Sequence, residues 1–228
     1  GDNTQEAFIK SLCKLIEKEG IPIAFLTGDL TGSSARGNLV KEAIEKRKTV
    51  DPGYKGIYRD VGIREQLAAT MLKGIARASE VRNNNTASVQ QAVVPVFSSY
   101  AAFINLIAES VRVAARDNLQ FILNALQFGL LFASGGNSHN TTVLGLSNFL
   151  PVFNPSTSYE TERILEESVS RIMNGVVGRC CITTSRLRIG EIIIEDRALL
   201  DKKTIEEVNT FVSERWEDTP IYEEGAYI

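Results

Sequence analysis

Short apolar runs alternate along this chain with longer segments whose apolar residues recur at helical spacing. That alternation constrains the fold more than any other feature. Residues 21–26, 93–97 and 178–184 are apolar runs of strand length. Residues 119–126 are a strand candidate that keeps some helical character, and Val152-Phe153 makes a short strand before Asn154-Pro155. Between them, Ala7, Phe8, Leu12, Leu15 and Ile16 fall on one helical face, and Gly20 is placed to stop that helix. Residues 40–48, 66–78 and 101–116 read as further helices. Another follows Thr157, with Glu160 three residues on as a capping box. Strands alternating with helices pair in parallel through right-handed crossovers. The predicted class is therefore α/β, a doubly wound, mostly parallel sheet with helices on both faces.

The size is compatible with this. A chain of 228 residues, 43% hydrophobic and 23% charged, can bury one sizeable α/β core. The net charge of −3 and the lack of a basic run argue against nucleic acid as the main partner. The N-terminal region has no apolar core of a signal peptide, and no apolar run reaches membrane-spanning length, so a cytoplasmic protein is expected. Cys180 and Cys181 are adjacent on a predicted strand and should point to opposite sheet faces. Cys13 is distant and no CxxC spacing exists. Buried reduced thiols are expected rather than a zinc site.

Ligands bind such sheets outside the carboxyl ends of the strands. Here the loops at 28–37, 60–65, 98–100, 129–142 and 183–186 all follow predicted strands, so they should gather at one edge. One of them, Asp60-Val61-Gly62-Ile63-Arg64-Glu65-Gln66, sits where a strand expected at 54–58 gives way to the helix at 66–78. Glu65 then lies in a first helical turn, where the helix dipole favours an acidic group. Proton chemistry and simple capping both suit a carboxylate there.

Five stretches in order carry a family resemblance. They are Gly28-Asp29-Leu30-Thr31-Gly32-Ser33; Asp60 to Gln66; Phe97-Ser98-Ser99-Tyr100 with Phe103 and Arg112; Asn137-Ser138-His139; and Thr184-Ser185-Arg186. Together they resemble the pyrimidine-binding domain of transketolase-type thiamine diphosphate enzymes, over roughly residues 23–186. The resemblance implies a role for each matched position. Glu65 would hydrogen-bond the N1′ ring nitrogen of the coenzyme's aminopyrimidine, and Tyr100 and Phe103 would pack against that ring, although both also suit a core. Asp29 would lie near the thiazolium of the neighbouring subunit's coenzyme. His139, the one histidine in the chain, would contact substrate beside the thiazolium; a surface loop position is the alternative. Ser33 and Arg186 would hold a sugar-phosphate substrate.

The departures fall on the substrate side. Gly135 stands where the family usually has aspartate, and Gln127 where it has a phosphate-binding histidine. Asn137 and Ser138 replace a proline and a threonine. A non-phosphorylated donor or a carrier-bound acceptor would suit that pattern. The Gly-Asp-Gly motif that holds Mg²⁺ and diphosphate is not matched by Gly28-Asp29-Leu30. The resemblance therefore implies half a cofactor site. The expected function is the pyrimidine-domain subunit of a split transketolase-like enzyme that moves a two-carbon ketol unit. It would work in an α₂β₂ heterotetramer with a diphosphate-binding subunit that holds the Mg²⁺. The alternatives are a 2-oxoacid dehydrogenase β-type subunit and a degenerate scaffold or regulatory domain. Residues 1–190 are expected to form the pyrimidine-binding domain and 191–228 an extension. The extension would hold a strand at 191–195, a helix at 203–216 with Ile205, Val208, Phe211 and Val212 on one face, and a tail.

Overall fold

The computed structural model describes residues 3–28, 36–82, 89–126, 143–155 and 157–185. In chain order, α1 (Thr4–Glu17) precedes β1 (Ile23–Thr27), and α2 (Gly37–Val50) precedes β2 (Ile57–Asp60). Next come α3 (Glu65–Ala78), β3 (Glu80–Arg82), β4 (Val89–Gln91) and β5 (Val94–Tyr100). The helices α4 (Ala101–Leu106) and α5 (Ala108–Arg116) lead to β6 (Ile122–Leu126). A 3₁₀ turn (Leu144–Asn148), β7 (Val152–Phe153), α6 (Ser158–Met173) and β8 (Cys180–Thr184) complete the described part.

Six strands form one sheet in the order β2-β1-β5-β6-β8-β7, and every pairing in it is parallel. Strands β1, β6 and β8 are buried at every position, as parallel strands covered on both faces must be. Helices α1, α2 and α6 cover one face, where Phe8, Ile44 and Leu165 pack on Phe25, Val96 and Ile122. Helices α3, α4 and α5 cover the other, where Leu72, Ile104 and Val111 pack on Leu26, Phe97 and Leu123. The α/β class with helices on both faces is what the alternation predicts. Cys180 joins the first core and Cys181 the second, so the adjacent thiols do point to opposite faces. Burial pushes the Cys180 thiol up to about 12 and raises Cys181 as well, which leaves both protonated and inert at neutral pH.

Element boundaries differ from expectation where side chains claim the backbone. The strand expected at 54–58 begins at Ile57 instead. Tyr54 is buried; its hydroxyl donates to Ile21 O (2.8 Å) and accepts from Ile23 N (3.3 Å). A Cβ on Gly56 would lie 2.3 Å from the Tyr54 ring, so only glycine passes beneath it. The long helix expected at 101–116 breaks at Ile107, because the Leu106 carbonyl accepts instead from Gln66 Nε2 (2.6 Å). Asn118, with φ of 53°, ends α5 and delays β6 to Ile122. The antiparallel pair β3–β4 and the 3₁₀ turn have no counterpart in the sequence expectations. The capping box of α6 is present in both directions, Thr157 Oγ1 with Glu160 N (3.1 Å) and Glu160 Oε2 with Thr157 N (3.2 Å). The extension expected at 191–228 and the polar loop at 83–85 lie outside the described residues.

Candidate functional site

The chain leaves β1 for β2 on one side and then returns to β5 on the other. This reversal is a topological switch point, where the loops diverge and leave a crevice at the strands' carboxyl ends. Register brings those ends together: Thr27 pairs with Asp60 and with Ser98, while Leu126 pairs with Tyr100 and with Thr184. The convergence of loops at one edge therefore holds for the strand ends that are described.

Glu65 reaches this edge through a tight turn. Asp60 Oδ1 accepts from Gly62 N (2.9 Å), and Val61 N donates to Thr27 O (2.9 Å). Gly62 takes φ of 65°, the left-handed region that glycine enters without a Cβ clash. The chain reverses there and starts α3 at Glu65. The carboxyl of Glu65 folds inward and is 8% exposed, unlike an ordinary first-turn capping acid.

Gly28 follows β1 and faces that carboxyl. A Cβ on Gly28 would lie 3.4 Å from Gly62 O, 3.5 Å from Glu65 Oε1 and 3.6 Å from Ser99 Oγ. Glu65 Oε1 and Ser99 Oγ are buried and have no hydrogen-bond partner among the described residues. Two orphaned polar atoms beside a missing side chain form a polar corner that lacks its complement. Leaving such groups unpaired costs free energy, so the corner could take donors and acceptors from a bound group. An aminopyrimidine edge, which carries both, fits this set. Thr27 Oγ1 is also buried and has no partner among the described residues. Strand alternation puts it on the opposite sheet face, since Leu26 packs towards α3.

Tyr100 closes β5 and is the N-cap residue of α4; Phe103 is in the first turn of that helix. Their rings stand edge to face, with centroids 5.9 Å apart and planes at 79°. Both are half-buried, and Tyr100 also packs on Leu126. The pair forms a floor and a wall rather than one flat shelf. On the α1 face, a buried polar ladder ties the strand ends together. Asn124 Nδ2 donates to Ser98 Oγ (3.0 Å) and Thr184 Oγ1 donates to Asn124 Oδ1 (2.8 Å). Ser185 N in turn donates to Thr4 Oγ1 (2.9 Å), which anchors the chain just before Arg186.

Of the residues expected to form a site, Glu65, Tyr100 and Phe103 are described. Glu65 stands at the end of β2 and the two aromatics at the end of β5. Asp29, Ser33, His139 and Arg186 lie outside the described residues, as do Gln127 and Gly135. Ser99, Thr27 and Asn124 were not singled out from sequence. Ser99 lies within Phe97-Ser98-Ser99-Tyr100, and strand alternation aims it at the same face as Gly28. Among the described residues no helix is long and apolar enough to cross a membrane, and no three His, Cys, Asp or Glu side chains cluster.

Comparison with known proteins agrees with this architecture. The sequence model for the transketolase pyrimidine-binding domain matches residues 3–188. The transketolase of Leishmania mexicana superposes with a TM-score of 0.60 at 20% identity, over 81% of this chain and 25% of that one. A mutant transketolase of Pichia stipitis gives 0.61 at 18% identity, over 82% and 26%. The transketolase of Campylobacter jejuni gives 0.58 at 16% identity, over 81% and 26%. The chain thus spans about a quarter of the length of these enzymes. No curated protein sequence matches it significantly. From its parallel sheet, its switch-point corner and its sequence match, the chain belongs to the family of transketolase pyrimidine-binding domains.

Proposed function

We propose that this chain is the pyrimidine-domain subunit of a split, thiamine diphosphate-dependent transketolase-like enzyme that transfers a two-carbon ketol unit. The observation that carries the proposal is the buried Glu65 Oε1, without a partner among the described residues, facing Gly28 and Ser99 at the switch point. When bound, the coenzyme supplies an acidic thiazolium carbon that acts as a nucleophile towards a ketose carbonyl. Glu65 holds a proton at the ring nitrogen. Ser99 orients the ring edge by its hydroxyl. Gly28 keeps the corner open, and Tyr100 and Phe103 exclude water from the ring. Sequence position assigns Asp29 to the thiazolium side, His139 to proton handling at the substrate, and Ser33 and Arg186 to substrate binding.

The diphosphate and Mg²⁺ would be held by a partner chain in an α₂β₂ assembly. Gly135 and Gln127 favour a donor without a phosphate group. The test mixes this chain with a diphosphate-binding chain, thiamine diphosphate and Mg²⁺, and follows ketol transfer from a non-phosphorylated ketose. Glu65→Ala should abolish turnover while circular dichroism stays unchanged and Tm does not fall; turnover equal to wild type would refute the role.

A further inference from the structure

Helix α1 starts at the carboxyl edge of the sheet and is fixed along its length. Phe8, Leu12 and Ile16 are fully buried in the core beneath it. Lys14 bridges Glu162 (3.2 Å) and Glu166 (2.7 Å) on α6. Its first turn is therefore a rigid point of reference, and it grips the far end of the domain. Strand β8 ends at Thr184, so Ser185 stands beyond the sheet and its backbone groups need other partners. Thr4, the first residue of α1, supplies them. Its Oγ1 accepts from Ser185 N (2.9 Å) and donates to Ser185 O (3.3 Å). Gln5 N, one of the amides that a helix leaves free at its start, donates to the same carbonyl (3.3 Å). One position earlier, Thr184 Oγ1 donates to Asn124 Oδ1 (2.8 Å). Two successive residues are thus held by side chains 60 and 181 positions before them in the chain.

Mutual capping of a helix and a strand end serves stability, but Thr4 is not needed as a cap. That role belongs to Asn3, whose Oδ1 accepts from Glu6 N (2.8 Å). The Thr4 hydroxyl is spent on Ser185 alone. The same turn holds a second strand-following segment, because Glu6 pairs with Arg36, three residues after Ser33. We propose that Thr4 is a positioning residue for the substrate, acting through Ser185 on Arg186, the next residue. The inference rests on the substrate role given to Arg186 above. A guanidinium recognises its partner through a fixed fork, so its use depends on where its backbone is held. Glu65 lies across the sheet on α3, and among the described residues it shares no hydrogen bond with this turn. Thr4 therefore serves substrate binding and leaves coenzyme activation alone.

The test compares wild type, Thr4→Val and Thr4→Ser in complex with a diphosphate-binding chain, thiamine diphosphate and Mg²⁺. Valine keeps the branched shape and removes Oγ1, whereas serine keeps Oγ1. In Thr4→Val the Ser185 amide should exchange hydrogen at least about 10-fold faster. KM for fructose, a non-phosphorylated ketose, should rise about 10-fold with kcat unchanged. Deuterium exchange at the thiazolium carbon should keep its wild-type rate. Thr4→Ser should restore both amide protection and KM. In an Arg186→Ala background, Thr4→Val should raise KM no further. Unchanged amide protection or KM in Thr4→Val, a parallel loss of thiazolium exchange, no rescue by serine, or additivity with Arg186→Ala would each overturn the proposal. A wild-type complex that leaves the thiazolium proton unexchanged gives a different result: it refutes the coenzyme role, and this inference falls with it.

Discussion

At Glu65 the stability and the proposed chemistry pull in different directions. Its Oε1 is buried with no partner among the described residues, so its desolvation is uncompensated there. Glu65→Ala is expected to leave the chain as stable as wild type or more so, by up to about 1–2 kcal/mol in urea unfolding. A loss of that size instead would make Glu65 a structural residue. Gly62 behaves in the opposite way. Its φ of 65° is one an alanine adopts only at a cost, so Gly62→Ala should destabilise by about 1–2 kcal/mol. The acidic residue and the glycine were legible in the sequence, because the junction of strand and helix announces itself. The inward turn of the carboxyl was not. It depends on Gly28 and Ser99, which lie far away in sequence and meet Glu65 only when β1 and β5 pair.

Among the elements, the sheet and its helices followed from apolar spacing, and α6 has the start that its capping box announced. Thr157→Ala should cost about 1 kcal/mol by removing that cap. The elements that sequence missed are those set by tertiary partners. The break between α4 and α5 depends on Gln66 reaching the Leu106 carbonyl, and no local pattern encodes that bond. The ladder Ser98–Asn124–Thr184 is similar, since its polar residues read as interruptions of apolar strands until their hydrogen bonds are seen. Asn124→Leu keeps the branched shape but strands two buried hydroxyls. It should destabilise by about 2–4 kcal/mol in chemical denaturation.

For the whole molecule, the buried thiols set the behaviour in alkali. Burial raises Cys13 to about 11 and Cys180 to about 12 from 9.0, and raises Cys181 too, with Cys180 beside it adding to the shift. The folded chain keeps these protons where the unfolded chain releases them. The stability is therefore complete below pH 9.0 and declines as pH climbs towards 12. The slope is about 1.4 kcal/mol per pH unit for each fully buried thiol. Urea unfolding at stepped pH checks this, and the variant Cys180→Ala/Cys181→Ala should flatten the decline. At this scale the α/β class was fully legible, because two buried faces impose their own pattern on strands and helices.

The most direct measurement for the coenzyme role needs no knowledge of the substrate. It is the deuterium exchange rate of the thiazolium proton of thiamine diphosphate, followed by NMR with this chain, a diphosphate-binding chain and Mg²⁺ together. Exchange should be fast with wild type and slower by about 10²–10⁴-fold with Glu65→Ala, towards the rate of free coenzyme. Equal exchange rates for the two proteins would contradict the account.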